Sequence, residues 1–374
     1  AGNSAVGIGK GSTGSCTGVQ ITGGSVKAMD SSGTVNSISP APTSDGTTSV
    51  YLGILENQAG VQSIIVDNVD YKVAGNHPDG DNNFYLYMTG TNHIIAGNSW
   101  YTASYDSSSN NFTFNIKDLE VRNEEGNLAS DVCSYESDVV TISATDAEKI
   151  YTIKLKDGIT QTSDRVVINT NATIVLENVN INTSAGTPLE VQGNSATNAS
   201  DNVTATIKLK GENILTPTGR KYAGLQLSNG ANLILENGAA ESETVGSLTA
   251  TGGYFGAGIG SGYSGSAGDI TISGGTVTAT GGDSGAGIGS GYSSYTGSSK
   301  VETITISGGT VTATGGNKGA GIGSGHSGGT GSSKVETITI SGGTVTATGG
   351  SFGAGIGSGY SSYTGSSKVE TITI

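Results

Sequence analysis

Arginine is almost missing from this chain: three, Arg122, Arg165 and Arg220, occur in 374 residues that carry a net charge of −14. The cationic surface that would neutralise a phosphate backbone is therefore absent, which excludes nucleic acid as a partner. Cysteine is limited to Cys16 and Cys133, enough for one internal bridge at most, and the sequence leaves open whether they meet. No apolar run reaches the length of a membrane span, so no membrane insertion is expected. The first residues lack the basic and apolar regions of a signal peptide, which reads either as a removed leader or as numbering that begins inside a longer protein. The three histidines, His77, His93 and His326, have no ligand spacing, so neither a metal nor any other cofactor is expected. Hydrophobic residues make up 34%, a thin core for a globule but sufficient for a solenoid, in which each coil buries few large side chains.

What the chain has is glycine, 63 residues of it, and repetition. Ile272, Ile306, Ile340 and Ile374 are 34 residues apart, a period of stacked units that bury their apolar sides against each other. Inside the unit the order is period two: in TVTAT (276–280) Val277 and Ala279 point one way and the threonines the other. Gly-Gly pairs such as 281–282 and 315–316 would break a helix, yet they supply sharp corners between short strands. Each unit reads as three strands, ETITI, TVTAT and GAGIG, followed by a polar loop such as SGYSSYTGSSKV (290–301). Three strands per turn predict an all-β fold, a parallel β-helix, right-handed by the crossover rule. Its core ladders are Ile272/Ile306/Ile340, Val277/Val311/Val345 and Ile288/Ile322/Ile356, with Ala286, Ala320 and Ala354 at the corners.

The same grammar, more divergent, occurs in 172–184, 205–215 and 223–238, which places the main solenoid at 146–374. GNSAVGIGKG (2–11) and VQITGGSVKA (19–28) repeat it, so 1–40 is expected to form β-helix coils as well. After a linker at 37–46, residues 47–145 hold most of the aromatic side chains and read as a small antiparallel β domain, a meander or sandwich, that interrupts the solenoid.

Candidate chemistry is sparse. Lys300/Glu302, Lys334/Glu336 and Lys368/Glu370 recur in every copy, whereas a catalytic centre occurs once, so they read as a solvated edge and no catalytic residue is assigned. GAGIGSG (285–291) lacks the Lys-Ser/Thr ending of a phosphate loop. HPDGDNN (77–83) spaces Asp79, Asp81 and Asn83 as calcium loops do, without their distal Glu, and reads as a polar turn. Five N-x-Ser/Thr triplets are attributed to composition. Two repeated surface features remain. Tyr263, Tyr292 and Tyr360 share one loop position, with His326 in the third copy, and Tyr295 and Tyr363 share another; stacked copies would align these rings as a sugar contact. The outward threonines, Thr276, Thr278 and Thr280 and their copies, resemble ice-binding T-x-T arrays, although threonine is also common on exposed strands.

The runs LENVNINTSAGTPLEV (176–191), SLTATGGYFGAGIGSG (247–262) and ITISGGTVTATGG (270–282) resemble a module of surface and secreted proteins of Gram-positive, often gut, bacteria, some described as carbohydrate-binding β-helix proteins. The resemblance covers most of the chain and implies an extracellular or cell-surface location; it says little of activity. The expectation is a non-enzymatic structural solenoid, a stalk or filament segment of a bacterial adhesin or fibre. TITI at 371–374 breaks off in mid-repeat, so copies of the chain or adjacent repeats are expected to add at the terminal coils. Glycans are the other expected partner, in the alternative reading as a carbohydrate-binding module; a polysaccharide lyase or hydrolase and an ice-binding protein rank below both.

Overall fold

In the strand Thr204–Lys210, TATIKLK, Ala205, Ile207 and Leu209 are fully buried while the polar residues between them stay half-exposed. That alternation, expected of a strand with one face on a core, recurs through a computed structural model that describes residues 8–9, 15–22, 25–29, 38–61, 63–67, 69–72, 82–143, 149–194, 202–241 and 243–374. The chain divides into two compact units, residues 1–117 and 118–374.

The larger unit is a parallel β-helix with three sheets. The first, or long, face includes Ile150–Leu155, Ala172–Glu177, Thr204–Lys210, Asn232–Asn237, Ile270–Ile272, Ser298–Ile306, Ser332–Ile340 and Ser366–Thr373. The second, or threonine, face runs from Asn180–Thr183 through Thr276–Thr280 and Thr310–Thr314 to Thr344–Thr348. The third, or short, face ends in the two-residue strands Ile259–Gly260, Ile288–Gly289, Ile322–Gly323 and Ile356–Gly357. Copies pair in register, Ile272 with Ile306 and Val277 with Val311, and the expected ladders are the core: Ile272, Ile306, Val277, Val311, Ile288, Ile322, Ala286 and Ala320 are inaccessible to solvent. At Gly289 and Gly323, with φ near +140°, the backbone of the next coil lies so close that a Cβ would collide with it.

Two expectations change. The polar loop 290–301 is only half a loop, because SSKV continues into the long strand Ser298–Ile306 and buries Val301. Nor does the small domain extend to 145. Leu119–Arg122 pairs antiparallel with Ile150–Leu155 at the start of the long face, and the hairpin of Cys133–Glu136 and Val139–Ile142 starts the short face. Leu119–Arg122 and Cys133–Glu136, antiparallel to their neighbours, close the first coil with a chain that runs the wrong way for a solenoid, while Val139–Ile142 already runs parallel to Arg165–Ile168. Their divergent, charged sequence follows from having a coil on one side only.

The smaller unit contains an antiparallel sheet in the order Val69–Lys72, Ser63–Val66, Asn92–Ala96, Ser99–Asp106 and Asn111–Ile116, and the pair Tyr51–Leu55 and Phe84–Met88. Its core gathers Leu55, Ile64, Phe84, Leu86, Met88 and Ile94. The expected N-terminal coil at 1–40 falls largely outside the described residues; where described, Ile8–Gly9 pairs in parallel with Ile38–Ser39, while Val26 donates to the Tyr85 carbonyl at 2.8 Å and so groups with this unit. Among the described residues, no helix is long and apolar enough to cross a membrane.

Candidate functional site

The corner between the threonine face and the short face builds one continuous edge of side chains. Each coil contributes two corner residues, Arg220 and Lys221 after Thr218-Gly219 and, after a Gly-Gly pair, Tyr254 and Phe255, Asp283 and Ser284, Asn317 and Lys318, Ser351 and Phe352. They stack through the backbone, Phe255 N–H to Arg220 carbonyl, Ser284 to Tyr254, Lys318 to Asp283 and Phe352 to Asn317, at 2.7–3.0 Å. The aromatic position of each coil is pinned to the corner before it: Tyr263 N–H donates to Lys221, Tyr292 to Phe255, His326 to Ser284 and Tyr360 to Lys318, at 2.8–2.9 Å. The rings follow as a column with centroid separations of 5.6 Å for Tyr263–Tyr292, 5.0 Å for Tyr292–His326 and 5.3 Å for His326–Tyr360. Phe255 and Phe352 lean against it at 5.0 Å from Tyr292 and 5.5 Å from Tyr360.

Tyr263, Tyr292 and Tyr360 are thus brought together, but their rings are tilted by 41–51° against ladder neighbours and Tyr263 and Tyr292 are half-buried. Such packing uses the ring faces within the column. Tyr295 and Tyr363 do not join it. Tyr295 lies over Gly329 of the next coil, and Tyr363, two coils on from Tyr295, is 95% exposed. His326 is 7% exposed between two tyrosines, Nε2 is 3.3 Å from Ser362 Oγ, and burial, with Lys318 nearby, pushes its imidazole down to about 4. The ring is neutral at physiological pH.

Sequence reasoning missed two devices beside this edge. One is a ladder of hydroxyl pairs, the buried Ser261–Ser299 and Ser290–Ser333 and the half-buried Ser324–Ser367, each 2.9 Å apart. The first serine of each pair also accepts from the backbone of the next coil, Gly291, Gly325 and Gly359 at 3.1–3.2 Å. Serine in the GSG and SSK segments is the signal that identifies it. The other is the substitution of Gly328 and Gly329 for the Ser-Tyr of the neighbouring copies, which leaves room for Tyr292 and Tyr295: a Cβ at either glycine would run into those rings.

The Lys-Glu positions form a zipper along the long face rather than separate pairs. Lys300 reaches Glu302 at 2.6 Å and Glu336 at 3.0 Å, and Lys334 reaches Glu336 at 3.4 Å and Glu370 at 2.8 Å. The threonines align in three columns, Thr276 with Thr310 and Thr344, Thr278 with Thr312 and Thr346, and Thr280 with Thr314 and Thr348. In the cap, buried Glu120 faces Arg122 at 2.8 Å and Lys154 at 3.8 Å, and the buried Tyr135 hydroxyl donates to Asp164. Cys16 and Cys133 are free thiols, and burial pushes that of Cys133 up to about 12. His77, Asp79 and Asp81 lie outside the described residues; His93 sits 3.9 Å from Asp67 in the small unit. No cluster of three or more metal-ligating side chains occurs among the described residues.

A stack of three parallel sheets with one side chain per coil at each ladder position defines a β-helix repeat protein. The family model of the beta helix repeat matches four segments, residues 246–263, 270–292, 304–326 and 338–360, each of which spans a threonine-face strand, the corner and the aromatic position. Comparison with curated proteins and with solved structures gives no match.

Proposed function

We propose that the solenoid unit is a non-enzymatic extracellular column, a rigid stalk or filament segment of a surface adhesin or fibre of a Gram-positive bacterium. The observation that carries this reading is the in-register copying of 270–303, 304–337 and 338–371, in which core, serine pairs and ion zipper are all repeated. Such a coil adds length and leaves the chemistry of its faces unchanged. The recurrent serine hydroxyls and Lys-Glu charges bond to the neighbouring coil. Among the described residues Ser366–Thr373 has a strand neighbour on one side, which suits addition of a further coil, whether from the same chain or another copy. The extracellular location rests on the resemblance of the repeats.

The test is a variant with three extra copies of 304–371, six coils, viewed by electron microscopy beside the parent. Rods about 29 Å longer are expected, at about 4.8 Å per coil. Unchanged length, or turnover of pectin, alginate or xylan by the parent chain, would remove the proposal.

A second reading, carbohydrate binding through tyrosine loops, is favoured by the exposure of Tyr295, 67% although coils flank it on both sides. A glycan array with Tyr295→Ala/Tyr363→Ala against the parent chain tests it, and it fails if the parent binds nothing.

A further inference from the structure

The three full copies differ from one another at five positions: 283/317/351, 284/318/352, 292/326/360, 294/328/362 and 295/329/363. All five fall on the corner edge or on the loop packed against it, and the threonine face, long face and core are copied without change. Variation confined to one edge marks the place where the chemistry of the surface is adjusted coil by coil.

Charge on that edge runs against the rest of the molecule. Among the described lysines and arginines of the solenoid, those with no carboxylate within 4.0 Å are Lys149, Arg220, Lys221 and Lys318, and the last three lie on this edge. Asp283 is the one acid at a corner position, and its carboxylate accepts from the Ser284 hydroxyl at 3.3 Å. The cations at the start of the edge are held in place: the Arg220 guanidinium lies 4.6 Å from the Tyr254 ring centre and 5.2 Å from that of Phe255, and Lys221 Nζ lies 5.1 Å from that of Tyr263. Stacking on ring faces fixes a guanidinium while its N–H edge stays available for a carboxylate. Along the column the edge reads cations (Arg220, Lys221), ring (Tyr254, 43% exposed), acid (Asp283), cation (Lys318), ring (Phe352).

We propose that this edge binds a linear polysaccharide that carries carboxylate groups, laid along the solenoid axis. Arg220 and Lys221 grip one carboxylate, Lys318 another three coils on, about 14 Å away at the spacing of stacked strands, and Tyr254 and Phe352 take apolar faces of sugar rings between and beyond them. Charge complementarity selects this ligand over a neutral glycan: a molecule with net charge −14 would repel a polyanion everywhere except at a locally unpaired positive edge. The proposal narrows the carbohydrate reading to one ligand class and one edge, and rests on that reading for its sugar contacts.

The experiment is affinity electrophoresis of the full chain in gels that contain polygalacturonate, its fully methyl-esterified form, neutral dextran or a single-stranded oligonucleotide, at low and at physiological salt. Expected is retardation by polygalacturonate alone, weaker at higher salt, with Kd raised roughly tenfold in Arg220→Gln/Lys221→Gln/Lys318→Gln by loss of three charges. Glutamine keeps the stems, and an unchanged melting temperature of the variant shows that the fold is intact; should it fall, Lys318→Gln alone is used, with a smaller loss of affinity expected. Equal binding of the esterified form, equal binding of the oligonucleotide, or full binding by the charge-loss variant overturns the proposal. Binding of neutral dextran that the variant retains would leave the broader carbohydrate reading standing while this one falls, and no retardation by any polymer removes both.

Discussion

The ring of Tyr295 covers Gly329 of the following coil, at a position where both adjacent copies carry tyrosine. A coil of the GYSSYT kind is followed by one of the GHSGGT kind because two of the first kind cannot both place a side chain in the same space.

Deletions of one repeat are therefore unequal although each removes 34 residues. Deleting 304–337 sets Tyr295 against the coil of Tyr363, whereas deleting 338–371 leaves the Tyr295–Gly329 contact untouched. The first variant is expected to be less stable by about 0.5–1 kcal/mol, since the crowded rings are largely exposed, as measured by urea denaturation. Tyr295→Ser in that deletion should restore most of the loss; no difference between the deletions would refute the packing rule.

His326 makes stability depend on pH. Its folded-state pKa, about 4, lies below the unfolded value near 6.5, so the unfolded chain takes up the proton first as pH falls. The contribution is complete above about pH 6.5, declines from there to about 4, and its total is at most about 3 kcal/mol. Urea midpoints between pH 4 and 8 should show this decline, and His326→Phe should flatten it between pH 5 and 6.5.

Ser290→Ala is expected to cost about 1–3 kcal/mol despite removing a single oxygen, because it leaves the Gly325 N–H and the Ser333 hydroxyl without this partner inside the column. Thr278→Ala, on the outward threonine face, serves as the control and should change the urea midpoint little.

Glu336 bridges Lys300 and Lys334, which hold its carboxyl below the usual range, so its stabilisation is present above the unfolded pKa and lost as pH falls through the folded one. Glu336→Gln should reduce the dependence of melting temperature on added salt while the melting temperature in 1 M salt stays close to that of the parent.

The column was legible because its signals are local and repeated. Val277 and Ala279 alternate with threonine within one strand, and the 34-residue period converts that alternation into ladders. The start of the solenoid was not legible, since Leu119–Arg122 pairs antiparallel with a coil it does not resemble, Cys133–Glu136 folds back antiparallel on Val139–Ile142, and no period connects them to the repeats. The tyrosine positions were found, but whether their rings face solvent or one another depends on the tilt of neighbouring coils. For the same reason the role of Gly328 and Gly329 is hidden in sequence: they look like ordinary turn residues until the rings resting on them are placed.

Near-identical strands raise a folding problem, because a strand could pair with the wrong copy, one whole coil out of step, and keep every isoleucine and valine in its ladder. The odd coil, with Gly328 and Gly329 beneath the rings of Tyr292 and Tyr295, makes such a slip collide. Two residues without side chains thus serve as a reading-frame mark: they tell otherwise interchangeable coils which neighbour is theirs.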